Sequence, residues 1–65
     1  TVYALCRDGI LKIDPEKGDT YMFETEGNPC DINITENTLF VSYYSHTDSY
    51  YLSEIFTEKT KLSQQ

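Results

Sequence analysis

The sequence predicts an all-β chain, an antiparallel meander of six to seven short strands. Three observations carry that prediction. Apolar and polar residues alternate with period two along most of the chain, and no window of about eleven residues holds apolar positions at helical spacing. Turn-forming Gly, Pro, Asn and Asp recur between the alternating stretches. The chain also half-repeats itself. Val2-Tyr3-Ala4-Leu5 returns as Leu39-Phe40-Val41-Ser42, and Ile13-Asp14-Pro15-Glu16-Lys17-Gly18 returns as Ile55-Phe56-Thr57-Glu58-Lys59-Thr60. The extra positions of the second copy fall around residues 45–49. A unit of roughly 35–45 residues built from short strands suggests a stacked or radial β architecture.

Each element follows from its residues. Residues 1–6 are β-prone, with Val2 and Ala4 on one face and Tyr3 and Leu5 on the other. Arg7-Asp8-Gly9 is a turn, with Gly9 suited to a positive φ. Residues 10–14 form the second strand. In Asp14-Pro15-Glu16-Lys17-Gly18, Pro15 presets φ for a type I turn and Gly18 takes the left-handed position that ends it. Residues 19–24 form the third strand, with Tyr21 and Phe23 opposite Thr20 and Met22.

Glu26-Gly27-Asn28-Pro29 is a longer break. Residues 30–34 alternate strictly, Cys30, Ile32 and Ile34 against Asp31 and Asn33. Thr35-Glu36-Asn37 is a turn. Residues 38–44 are the most apolar stretch and are expected to be covered on both faces, burying Phe40 and Val41 together. Residues 45–49 read as a polar loop, 50–56 as a sixth strand, 57–60 as its turn and 61–65 as a short last strand. Connections of two to five residues make most neighbours antiparallel.

This phasing resembles repeats of the β-propeller superfamily, the Kelch, NHL and surface-layer-type blades. The residues that carry the likeness are Val2-Tyr3-Ala4-Leu5, Gly9-Ile10-Leu11-Lys12-Ile13-Asp14, Gly27-Asn28-Pro29-Cys30-Asp31-Ile32 and Asn37-Thr38-Leu39-Phe40-Val41-Ser42. The resemblance implies about one and three-quarter blades, with units 1–25 and 30–65 in a single β domain or fragment. Two partial units do not close a ring of four to eight blades. The expectation is therefore a longer parent chain or self-association, with a small stand-alone open β-sheet as the alternative. The thin last strand and the insertion at 45–49 depart from the blade pattern. In the propeller phasing Cys6 ends one strand and Cys30 starts another on the same side of the ring, so a disulfide between them is one alternative and two reduced thiols the other.

Composition narrows the function classes. Sixty-five residues make one small domain with a modest core, in which six Tyr and three Phe supply most of the large apolar area. Eleven acids against five bases give a net charge of −6. Phosphate backbones and anionic membrane surfaces need clustered Lys and Arg, and none cluster here, so no nucleic acid and no membrane is expected as a partner. No run approaches the roughly 18 apolar residues of a spanning helix. The sequence leaves localisation open, with an extracellular or periplasmic setting favoured.

Candidate chemistry is sparse. Cys6, Cys30 and His46 do not complete a tetrahedral metal site, and Asp14-Pro15-Glu16-Lys17-Gly18 has too few oxygen ligands for calcium. His46 and Asp48 stand near Ser45 and Ser49, too close in sequence for a credible triad. Asn33-Ile34-Thr35 fits the glycosylation acceptor pattern, which short tripeptides often do by chance. Tyr43, Tyr44, Tyr50 and Tyr51 flank residues 45–49, either as a stacking rim or as cross-strand pairs. No catalytic residue, metal or cofactor is expected. The expected function is a non-enzymatic interaction module that presents residues 7–9, 26–31 and 45–49 to a protein, or to a glycan, through Arg7, Asp31, Tyr44 and His46. The alternatives are a piece of a propeller enzyme of the lyase or lactonase kind and a sugar-binding propeller unit.

Overall fold

Two three-stranded antiparallel sheets make up the chain. The structure, a computed structural model, describes residues 1–62. The first sheet holds β1 (Val2–Leu5), β2 (Gly9–Asp14) and β3 (Asp19–Glu24), and the second holds β4 (Asp31–Thr35), β5 (Thr38–Ser42) and β6 (Thr47–Tyr51). Each sheet is a simple meander, β1-β2-β3 and β4-β5-β6. The fold is all-β, with one helical turn among the described residues, α1 (Leu52–Ile55), after β6.

Turn chemistry explains where the strands stop. Gly18 sits at φ 73° and its N–H donates to the Asp14 carbonyl at 2.8 Å, closing the β2–β3 turn as the Pro15-to-Gly18 pattern predicts. Only two residues separate the Thr35–Thr38 pair, so Glu36 is driven to φ 49°, a left-handed value that a side chain tolerates at a cost of order 1 kcal/mol. Gly9 behaves otherwise. It is no positive-φ turn residue but the first residue of β2, paired with Glu24 and buried. A Cβ there would lie 2.5 Å from the Phe23 carbonyl oxygen, so it is close approach of β3 that demands glycine.

The two sheets meet through one face each. The register places Tyr3, Ile10, Tyr21 and Phe23 on the inner face of the first sheet. Ile32, Ile34, Leu39, Val41 and Tyr50 line the inner face of the second. Ile10, Leu39 and Val41 are completely buried, each worth about 1.5–3 kcal/mol of apolar transfer. Edge-on contact between the Phe23 and Tyr50 rings, 4.8 Å between centroids, ties sheet to sheet.

Residues 50–56 do not form the expected strand. Their first two residues complete β6, and the chain then coils for one turn. Leu52, Ile55 and Phe56 have the i, i+3, i+4 spacing that turns all three to one side of a helix, and Ile55 and Phe56 are buried. Phe56 wedges against the first sheet, its ring 5.9 Å from Tyr3, 6.4 Å from Tyr21 and 6.5 Å from Phe23. Lys12 extends its ammonium over the Tyr21 and Phe56 rings at 5.1 and 5.6 Å.

The polar stretch is also shorter than expected. Residues 47–49 belong to β6, and the β5–β6 connection covers residues 43–46, closed by the Tyr43 N–H donating to the His46 carbonyl at 2.7 Å. Phe40 and Val41 alternate faces, so Val41 is fully buried while Phe40 remains 36% exposed on the outer side. Both faces of β5 are therefore not covered.

The last described residues return to the first sheet instead of extending the second. Lys61 bridges Tyr21, Met22 N–H donates to the Thr60 carbonyl at 2.9 Å, and Leu62 N–H donates to the Thr20 carbonyl at 2.7 Å. Lys61 Nζ also meets Asp19 Oδ1 at 3.3 Å. The outer edge of β3 is thereby covered, while β1 pairs with β2 alone among the described residues. The rest of the expected last strand, residues 63–65, lies outside the described residues.

Candidate functional site

The strand directions bring three connections to one end of the molecule. β1 ends, β2 begins and β3 ends there in the first sheet; β4 begins, β5 ends and β6 begins there in the second. Backbone hydrogen bonds knit the group. Thr25 N–H donates to the Asp8 carbonyl at 2.8 Å, and Cys30 N–H donates to the Ser42 carbonyl at 2.7 Å. Residues 6–8, 25–30 and 43–46 therefore form one rim.

Between the two sheets at this end lies a cavity of about 400 Å³. Phe23, Tyr43 and Tyr50 give it aromatic walls, and Glu24, Glu26, His46 and Asp48 are the ionisable residues that line it. The Tyr43 ring stacks on the His46 imidazole, 4.6 Å between centroids and 18° from parallel. One face of Tyr43 is thus already occupied.

His46 is held from both ring nitrogens. Ser45 Oγ lies 2.9 Å from Nδ1, and Asp48 Oδ2 lies 3.4 Å from Nε2. A carboxylate at Nε2 fixes that nitrogen as the donor in the neutral ring, so Nδ1 accepts the Ser45 hydroxyl proton. The same Asp48 oxygen accepts a long 3.5 Å contact from the Tyr50 hydroxyl. Burial first, and then the negative charge of Asp48, push the Tyr50 phenol above its ordinary value, with Tyr43, the Asp48 hydrogen bond and Glu26 adding to the shift. Asp48 and Glu26 therefore both act on the cavity from different walls.

The Ser45–His46–Asp48 chain of contacts has the residue types of a nucleophilic triad, but its setting differs. The His46 and Asp48 side chains are 54% and 43% exposed. Water at that exposure screens the pair and leaves it worth little. Its effect is to orient the imidazole over Tyr43.

The residues expected to carry a site scatter around this end. His46 lines the cavity. Arg7 lines a second hollow, with Cys6, Asp8, Gly9 and Met22, on the other side of Glu24. Asp31 is exposed, and its Oδ1 accepts the Ile32 N–H at 2.9 Å, an N-terminal tie for β4. Tyr44 is fully exposed at the tip of the β5–β6 connection. The four tyrosines make no cross-strand pairs with one another: Tyr50 faces Leu39 and Tyr51 faces Thr38. The Cys6–Cys30 bridge is not formed. Both thiols are free, Cys6 half-buried with its thiol 3.8 Å from the Ala4 carbonyl, Cys30 exposed and outside β4. No family model, curated protein or solved structure matches the chain. Among the described residues no group of three or more His, Cys, Asp or Glu is arranged to hold a metal ion, and no helix is long and apolar enough to cross a membrane.

Phe23, Glu24 and Glu26 line the cavity without having stood out as site residues, and Asp48 stood out only beside His46. Phe23 carries an ordinary strand signal, and Glu26 and Asp48 look like solvated surface acids until the two sheets are placed face to face. The sequence sign is that acids and aromatics occur together at the end of β3, in Phe23 and Glu24, and in β6, in Asp48 and Tyr50.

Proposed function

We propose that the chain is a non-enzymatic binding module that receives a protein partner at the end where residues 6–8, 25–30 and 43–46 converge. The observation that carries this is the aromatic-walled cavity between the two sheets at that end, bordered by a rim of backbone-tied loops. A concave site with aromatic walls and convergent polar groups has the ingredients of a recognition site. The rim is fixed by strands on both sides, which keeps the ordering cost of binding low. Arg7, Asp31, Tyr44 and His46 then act as rim contacts, each with a directional polar group.

The propeller-like phasing fits the same proposal. Two blade-like sheets lie face to face, and the outer face of the first sheet carries Val2, Ala4, Leu11, Ile13 and Met22, with Val2 52% exposed. A blade packs on both of its faces, so neighbouring sheet of a longer parent chain, or a second copy, would cover this one. The ring's loop end would then be the partner face. The test is direct. Peptides selected from a random display library against the folded chain are added to isotope-labelled protein. Amide shifts are expected to cluster at residues 24–26 and 43–48. Clustering on the outer face of the first sheet instead overturns the assignment of the loop end.

A further inference from the structure

We infer that the cavity at the loop end is a receptor for an organic cation, an ammonium or guanidinium group presented by a basic partner. The inference rests on the binding-module reading and specifies its chemistry. Three features of the cavity carry it together.

The first is its wall. Phe23 and Tyr50 meet edge to face at 4.8 Å, and Tyr43 lines the same cavity of about 400 Å³, so three aromatic rings contribute to its wall. Aromatic faces attract cations through the ring quadrupole. The second is its charge. Glu26 reaches the cavity from the β3–β4 connection and Asp48 from β6, and both fields converge on Tyr50. Among the described residues no Lys or Arg lines this cavity, and His46 is the one basic side chain there, 3.4 Å from Asp48. The third is the contrast with the other side of the same core. There Tyr21 and Phe56 already hold a cation of the chain's own, Lys12, at 5.1 and 5.6 Å. The molecule satisfies one aromatic cluster internally and leaves the other with acids and no such cation.

The chemistry also sorts ligands. An anion meets Glu24, Glu26 and Asp48. A flat guanidinium or a compact ammonium fits between ring walls with a carboxylate on either side.

The test titrates isotope-labelled protein with two probes, a tetra-arginine peptide and spermidine, at low and at physiological salt. Both are expected to shift Phe23, Glu26, Tyr43, Asp48 and Tyr50 more than the rest of the chain. Binding by the peptide alone supports a protein segment as the source of the cation; binding by both supports the shared chemistry. Glu26→Gln with Asp48→Asn should weaken binding roughly tenfold, the scale of two part-exposed charge contacts. Glu16→Gln with Glu58→Gln makes the same charge change in turns that do not line the cavity, and should change affinity less than about twofold. Equal weakening by both double variants means that the probes follow net charge, and overturns the inference. A spectrum unchanged at the cavity with both probes also overturns it. If an uncharged selected peptide still shifts residues 43–48, the binding module survives and only the cation chemistry fails.

Discussion

Replacing Gly9 with alanine pits two opposite effects against each other. Gly→Ala removes freedom from the unfolded chain and by itself stabilises by about 0.4–1 kcal/mol where the backbone allows it. The backbone does allow it here, because Gly9 is not at a positive φ. Space decides the other way. The new Cβ would lie 2.5 Å from the Phe23 carbonyl oxygen, 3.0 Å from Met22 Sδ and 3.3 Å from Glu24 Cα. Met22 can swing its flexible thioether aside, but the Phe23 carbonyl is backbone. Relief requires β3 to move away from β2, and Phe23 carries the ring that locks the first sheet to Tyr50. Overpacking of this kind costs about 1–3 kcal/mol. The net expectation is destabilisation of about 1–2 kcal/mol. Against a total of roughly 3–10 kcal/mol for a domain this size, that is a readily measured loss. Urea unfolding followed by near-ultraviolet circular dichroism of the tyrosines reads it as a lower midpoint at unchanged slope. An alanine variant as stable as the parent, or more so, refutes the close-approach argument.

Other perturbations follow from the same structure. Gly18→Val should cost about 1–3 kcal/mol through strain alone, since φ is 73° and nothing lies within 4 Å of the added Cβ; an unchanged melting temperature removes the left-handed turn. Leu39→Ala should cost about 2–5 kcal/mol, and Phe40→Ala clearly less, because Leu39 is fully buried and Phe40 is 36% exposed; the reverse order in urea midpoints would put β5 the wrong way round. Burial raises the Tyr3 phenol above its ordinary 10.0, and burial with Asp48 raises Tyr50. The stability these protonated phenols contribute is complete below about pH 10 and is lost as pH rises through their folded values. Alkaline unfolding should therefore move to higher pH in Tyr50→Phe, and an unmoved transition contradicts the assigned environment. The side of β1 that no described residue pairs should make the chain self-associate, which light scattering over a range of concentrations would show; a monomer throughout, with slow amide exchange at Tyr3–Leu5, means the edge is covered.

Local chemistry made much of this fold legible. Residues 19–24 alternate cleanly between a glycine-ended turn and a glycine break, and β3 has those bounds. Gly18 and Gly27 both take the positive φ that a turn residue needs. What the sequence left unread depends on partners far along the chain. Thr47, Asp48 and Ser49 look like loop, yet β6 is an edge strand whose Thr47 and Ser49 point away from the core. Leu52, Ile55 and Phe56 have helical spacing over a single turn, too short to stand out from a strand pattern. Phe40 reads as core by composition but falls on the outer side because strands alternate. The cavity itself is the least legible feature. Its walls come from β3, the β3–β4 connection, the β5–β6 connection and β6, and no local pattern announces that those segments face one another.

The cavity at the loop end exists only if the two sheets meet through their aromatic faces. Nuclear Overhauser contacts between aromatic rings test this most directly. Strong cross-peaks from Phe23 to Tyr50, and from Phe56 to Tyr3 and Tyr21, are expected, matching centroid separations of 4.8, 5.9 and 6.4 Å. Cross-peaks confined within each sheet, with none joining Phe23 to Tyr50, would mean that the sheets do not close on each other and that the site at their loop end is not formed.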